Sequence, residues 1–267
     1  MSRSSPLADR HILNGQRILI TGASSGIGRA TAFAVAGLGA VPLLVARRAD
    51  ELAQVRDQIV ARGGEAHSYP CDLTDAESVD TLIKRVLAEQ PVDMLVNNAG
   101  RSIRRSLYRS QDRHHDFERT MAINYFAPVR LILGLLPHFR ANGGGHVVNI
   151  SSMGVQTRTP RFAAYLASKA ALDEFSQVAA TETLRDRITF TTVHMPLVRT
   201  PMIGPTRIYD RMPAATPEQA ARLVLRALIR RPKSVDRPFG LLAAAGYAVA
   251  PKLAERVLNI AYRTKSI

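Results

Sequence analysis

A chain of 267 residues, 46% hydrophobic and 22% charged, is too apolar to remain disordered and long enough to bury a large core in one α/β domain. Its single cysteine, Cys71, excludes a disulfide framework, fits a reducing compartment and reads as a small buried residue at a strand end. The formal charge of +14, from 36 Lys plus Arg against 22 Asp plus Glu, favours acidic partners; the arginines are scattered without interleaved aromatics and tryptophan is absent, so no nucleic-acid role is expected.

Residues 1–15 read as a polar arm with no sustained apolar run, so no secretory signal is expected and the protein is assigned to the cytoplasm. Residues 18–20 form a short buried strand, residues 21–28 a glycine turn, and the alanine-rich run after Gly28 a packed helix. A second buried strand at 41–46 ends on Arg47-Arg48. Leu52, Val55 and Ile59 then mark an amphipathic helix closed by Gly63-Gly64. A third strand at 66–71 leads into Asp72-Leu73, and Val79, Leu82, Ile83, Val86 and Leu87 line the next helix. The fourth strand, 92–96, runs into Asn97-Asn98-Ala99-Gly100. Alternating strands and helices with short links require parallel pairing and right-handed crossovers, hence a doubly wound α/β sheet.

An arginine-rich loop at 101–113 precedes a long helix at 116–136. A strand at 146–150, Ser151-Ser152, a second long helix at 163–184 and a strand at 189–194 follow. Residues 196–217 are an irregular, proline-punctuated substrate loop, and Thr216 caps a helix that opens on Pro217. Residues 239–250 are twelve uncharged residues closed by Pro251, too short for the roughly 20 residues that span a bilayer. They read as a packed segment or an interfacial patch, before a final helix at 250–263. No linker divides the chain, so 1–267 is one domain.

The glycine turn aims backbone N–H groups and a helix N-terminus at one spot, which suits a pyrophosphate. Gly22 permits the tight turn, Gly26 the approach of the main chain, and Gly28 close helix packing. Tyr165 and Lys169 lie four apart, on one helical face. A tyrosine of ordinary pKa, about 10, needs a neighbouring cation to favour its phenolate at neutral pH, and Lys169 is that cation. Ser152 supplies a hydroxyl for a carbonyl oxygen, with Ser151 as its rival. An acid at the end of the second strand would select NAD; Arg47 and Arg48 stand there instead and can pair with a 2′-phosphate, which selects NADP.

Thr21-Gly-Ala-Ser-Ser-Gly-Ile-Gly28, Asn98-Ala-Gly100, Asn124, Ser152 and Tyr165-Leu-Ala-Ser-Lys169 together resemble the short-chain dehydrogenase/reductase family. The resemblance covers nearly the whole chain and implies a single Rossmann-type domain that moves hydride between NADP(H) and a carbonyl. It implies Tyr165 as proton donor or acceptor, Lys169 as the group that lowers its pKa and holds the nicotinamide ribose, and Ser152, at the family's usual spacing from the tyrosine, as the group that orients the carbonyl. Asn124 would fix a water in the proton relay. Cofactor contacts would come from Gly22, Ser24, Ser25, Gly26, Ile27, Gly28, Asp72, Leu73, Asn98, Ala99, Gly100, Pro196, Val198 and Thr200, Asp72 being otherwise a helix N-cap. No metal is expected, and the two long helices would pair across a two-fold axis in a homodimer or homotetramer. One departure is Leu197, where the family usually has glycine; leucine removes the φ freedom that glycine gives.

Residues 97–105, 115–121, 195–202 and 205–209 further resemble the bacterial fatty acyl-CoA reductases that form aldehydes, and Leu197 is shared with that group. The implied substrate is a fatty acyl-CoA thioester. Arg101, Arg104 and Arg105, with Arg207, would hold CoA phosphates, while 239–250 would close an acyl channel or rest on a membrane surface. A reductase of ketones or 3-oxoacyl groups would use the same catalytic set. A non-catalytic NADP-binding scaffold would have no need of an intact Ser-Tyr-Lys set.

Overall fold

The computed structural model describes residues 12–204, 209 and 212–264. A seven-stranded, all-parallel sheet runs in the order β3-β2-β1-β4-β5-β6-β7. Its strands are β1 (Arg17–Thr21), β2 (Val41–Ala46), β3 (His67–Pro70), β4 (Met94–Asn97), β5 (Gly145–Ser152), β6 (Ile188–Met195) and β7 (Ser234–Val235). The crossovers carry α1 (Gly26–Ala36), α2 (Ala49–Val60), α3 (Ala76–Glu89), α4 (His114–Met121), α5 (Ala127–Ala141), α6 (Met153–Thr157), α7 (Ala163–Glu182) and α8 (Pro217–Arg230). Two helices, α9 (Pro238–Val249) and α10 (Pro251–Thr264), close the chain.

The centre of β1, Ile18–Ile20, is uninterruptedly apolar because both of its faces are covered. Ile18 and Ile20 point into a core with α1, α2 and α8, while Leu19 points into a second core with α3 and α5. The side-chain period of two divides Leu43, Val45 and Leu95 from Leu44 and Val96 in the same way. Thr216 caps α8 with its hydroxyl on the Gln219 N–H, and the Gln219 side chain accepts from Thr216 N in return.

The expected long helix at 116–136 is continuous from His114 to Ala141, and a π turn at Ala122–Phe126 interrupts its regular ladder at Asn124. Two short elements, α6 and β7, go beyond the expected set. Residues 239–249 belong to α9, which packs on α6 at Gly240, its one buried residue, and leaves much of its apolar surface exposed.

Candidate active site

The sheet order reverses between β1 and β4, so the connections leaving these strands diverge and open a crevice at their carboxyl ends. On one wall stands the glycine turn, where Gly22 and Gly26 adopt φ of +66° and +52°. A Cβ on Gly28 would collide with the Gly22 carbonyl oxygen. Thr21 locks this turn to β4: its hydroxyl accepts from the N–H groups of Asn98 (2.9 Å) and Ala99 (3.0 Å), and the Asn98 amide donates to the Thr21 carbonyl (2.8 Å). Ser25, the N-cap of α1, makes no side-chain cap hydrogen bond, so no side chain from that position covers the first N–H groups of the helix.

The crevice deepens into a cavity of ≈ 370 Å³. Gly22, Ser25, Gly26 and Ile27 line one end, and Asn98, Ala99, Gly100 and Arg101 continue the wall. Ser152, Tyr165 and Lys169 form its centre, and Pro196, Leu197, Val198 and Thr200 close it from the loop after β6. Thr200 approaches the turn so closely that a Cβ on Gly26 would stand 3.0 Å from its methyl group. Leu197 causes no strain, because its φ is not among the positive ones; the lost glycine freedom is not needed. Its carbonyl accepts from Ala215 N (2.8 Å), which pins the loop.

The two adjacent serines part company. Ser151 donates to Asp173 Oδ2 (2.9 Å), whereas Ser152 is hydrogen-bonded to Tyr165 and also accepts from Gly154 N (3.0 Å). Burial raises the Tyr165 phenol above its ordinary pKa, with the Ser152 hydrogen bond opposing. Burial also pushes Lys169 down to about 8, against the attraction of Asp173, and its Nζ donates to the Ile150 carbonyl (2.7 Å). The expected lowering of Tyr165 by Lys169 is therefore corrected. Burial dominates both groups and moves each toward its neutral form.

Asn124 is fully buried. Its amide donates to the Arg101 carbonyl (2.9 Å) and Ser168 Oγ (2.9 Å), and its Oδ1 accepts from Arg101 N (2.8 Å). The side chain thus clamps the start of the arginine loop, and its two N–H donors have no capacity left for a water. Asp72 is not an N-cap. Its carboxylate accepts from the Thr74 N–H (2.9 Å) and hydroxyl (2.7 Å), which lowers its pKa, while Asp75 caps α3. Leu73 is buried in the core below it. Ser24 is half-buried in the turn, away from the cavity lining. Arg47 and Arg48 stand exposed at the end of β2; Arg47 acts on Asp72 by charge, and Arg48 meets Glu51 at 2.6 Å.

The arginine loop splits. Arg101 is exposed at the cavity rim. Arg104 lies near Tyr209, where burial raises the phenol and the Arg104 charge opposes it. Arg105 is spent structurally: its Nε lies 3.0 Å from Asp116, a buried carboxylate that Arg113 also approaches at 3.5 Å. Arg207 lies outside the described residues.

Two features went unread in the sequence. Asp173 follows Tyr165 and Lys169 at the same four-residue spacing, a signal that was available. Four of the seven methionines, Met153, Met195, Met202 and Met212, line the cavity with Phe162 and Leu166, and no sequence period could have gathered them. Among the described residues no group of three His, Cys, Asp or Glu side chains is placed to hold a metal ion.

The chain matches the family model for short chain dehydrogenases over residues 16–209. It belongs to the short-chain dehydrogenase family. This short-chain dehydrogenase is 51% identical over 254 residues to an uncharacterized oxidoreductase of Mycobacterium tuberculosis, covering 94% of this chain and 74% of the relative. It is 49% identical over 254 residues to a fatty acyl-CoA reductase of Acinetobacter baylyi, covering 95% and 86%. The structure of a 3-oxoacyl (acyl-carrier-protein) reductase from Agrobacterium tumefaciens with NADP bound superposes with a TM-score of 0.77 at 30% identity, covering 86% of this chain and 95% of that one.

Proposed function

We propose that this oxidoreductase uses NADPH to reduce fatty acyl-CoA thioesters to aldehydes. The observation that carries the reading is the cavity: a Ser152–Tyr165–Lys169 set faces a methionine-rich apolar wall whose rim holds Arg101. Methionine side chains adapt to an irregular, flexible occupant such as an acyl chain. The 49% identical relative named a fatty acyl-CoA reductase supports the same substrate.

The residues present fit the cofactor. No Ser25 side-chain cap covers the first N–H groups of α1, and the positive φ of Gly26 brings the backbone to the crevice, as a pyrophosphate requires. Arg47 and Arg48 would receive a 2′-phosphate, Asp72 and Leu73 would border the adenine, and Lys169 would hold the nicotinamide ribose. When bound, the reduced nicotinamide supplies the hydride for the carbonyl carbon. Tyr165, kept protonated by burial, donates its proton to the carbonyl oxygen, and Ser152 holds that oxygen in line. Asn124 maintains the wall by gripping Arg101. The resulting hemithioacetal collapses to aldehyde and free CoA thiol.

The deciding assay follows NADPH consumption with palmitoyl-CoA, a fatty aldehyde and a simple ketone, and titrates released thiol. Thiol release matched to NADPH use supports the thioester reading; activity on 3-oxoacyl groups or ketones alone replaces it. We also infer a homodimer or homotetramer, because Phe126 and Leu133 on the α4–α5 rod and Val178 on α7 are exposed apolar residues. A monomer at micromolar concentration by light scattering would refute this.

A further inference from the structure

Helix α9 is in conflict with water. Pro238–Val249 carries no charged side chain, and Phe239, Leu242 and Val249 keep 66%, 73% and 86% of their full exposure. A helix apolar on every side belongs in a core or at a bilayer. α10 continues the surface: Leu253 and Val257 are exposed and lie four apart, on one stripe. Lys252, Arg256 and Arg263 recur at helical spacing and form a second stripe directly beside the first.

The charge identifies what covers this surface. From 237 to 263 the only acid is Glu255, which accepts from the Tyr247 hydroxyl (2.8 Å), against Arg237, Lys252, Arg256 and Arg263. The adjoining turn adds Arg158, stacked 3.7 Å from the Tyr247 ring, and Arg161, 4.9 Å from the Tyr262 ring. A second copy would bring the same cationic border against this one, in a chain whose net charge is already +14. An anionic lipid surface satisfies the apolar centre and the basic rim together.

We propose that the α9–α10 helix pair docks this protein on anionic membrane surfaces. At 12 residues α9 is about 18 Å long, short of the roughly 30 Å hydrocarbon core, so it lies along the interface and does not cross. α9 packs on α6 so tightly that a Cβ on Gly240 would run into the Gln156 side chain, and α6 carries Met153 and Gly154 of the cavity wall. The docked face therefore lies on the far side of a helix that lines the cavity. The proposal does not rest on the identity of the substrate.

The test is co-sedimentation of the full chain with phosphatidylcholine vesicles and with vesicles that also contain phosphatidylglycerol. Wild type should bind the anionic vesicles preferentially and lose binding as salt rises. Leu242→Glu with Val249→Glu should weaken that binding by at least about tenfold, as should Lys252→Glu with Arg256→Glu, while NADPH binding by fluorescence stays at the wild-type level and reports the fold. Wild type ignoring lipid charge overturns the proposal without recourse to any variant. So do variants that bind as well as wild type, or α9–α10 variants that change the oligomer instead of the lipid binding, which would mean that a second copy covers the face. None of these results touches the thiol-release assay, so the two readings fail separately.

Discussion

Two clusters of buried polar groups lie along one face of α7, and they are built in opposite ways. Tyr165 and Lys169 face the cavity, and burial moves both toward neutrality, the phenol up and the amine down to about 8. One turn further, Asp173 accepts from Ser151 (2.9 Å) and meets His194 (3.1 Å), whose other ring nitrogen lies 2.7 Å from Asp236. There the flanking carboxylates overcome the downward pull of burial and raise the histidine pKa. The contrast separates two uses of burial. Groups left to meet a ligand carry a desolvation cost that their neighbours only partly offset, whereas groups that tie α7 to β6 and to the segment after β7 are paired with opposite charge.

Replacing one member of each cluster should break the comparison most directly. Tyr165→Phe should lower turnover by about 10²–10⁴-fold, the usual worth of a positioned proton donor, with melting temperature and NADPH binding nearly unchanged. Substantial residual activity would mean that the proton comes from elsewhere. Asp173→Asn should do the reverse and destabilise the fold, by less than the roughly 3–5 kcal/mol of a fully broken buried pair because His194 keeps Asp236 as its other partner. It should also let Lys169 titrate at lower pH, since Asp173 is the charge that opposes its depression, and shift the basic limb of the activity profile. The pH dependence of stability has a definite sign. A histidine whose folded pKa is raised contributes stability that is complete below its unfolded value of about 6.5 and is lost as pH rises through the folded pKa. As pH rises past about 6.5 and through the folded pKa, wild type should therefore shed stability that His194→Gln never had; parallel curves would remove His194 from the account.

The same contrast explains what could be read from the chain beforehand. Ile18–Ile20, the glycine turn and the Tyr165–Lys169 spacing were legible because backbone geometry and local periods define them. β7 has two residues and α6 five, too few for any period to show. The π turn at Asn124 leaves the apolar spacing of a helix intact, so nothing announces it. Pairings over long separations were hidden too: His194 finds Asp236 only because β6 and β7 lie side by side. Composition marked 239–250 as apolar but could not tell a packed helix from an exposed one.

A cofactor-side test sharpens the picture at smaller amplitude. Arg47 and Arg48 are exposed, and Arg48 pairs with Glu51 on the surface. Arg47→Ala with Arg48→Ala should weaken NADPH by roughly 2–4 kcal/mol and spare NADH, since hydrogen bonds to charged groups are worth about 1.5–3 kcal/mol each. Equal loss for both cofactors, measured by titration calorimetry, would remove the 2′-phosphate assignment.

The smallest effect, and the finest discrimination, lies in the arginine loop, where paired and unpaired groups again stand side by side. Arg105 neutralises buried Asp116, so Arg105→Ser leaves that carboxylate, among the described residues, with Arg113 and His115 and should harm every substrate alike through loss of stability. Arg101 sits at the cavity rim and Arg104 faces Tyr209. For a phosphate-bearing substrate the exposed Arg101 and the half-buried Arg104 act as solvent-screened cations, each worth about 0.2–1 kcal/mol. Arg101→Ser with Arg104→Ser should then raise KM for palmitoyl-CoA by roughly two- to thirtyfold, leave kcat near its wild-type value, and flatten the salt dependence, because such attraction is screened over about 8 Å. A fatty aldehyde has no phosphate, and its KM should hardly move. Equal increases for both substrates would show that the rim arginines shape the loop, as Arg105 does, and the CoA reading would lose its physical support.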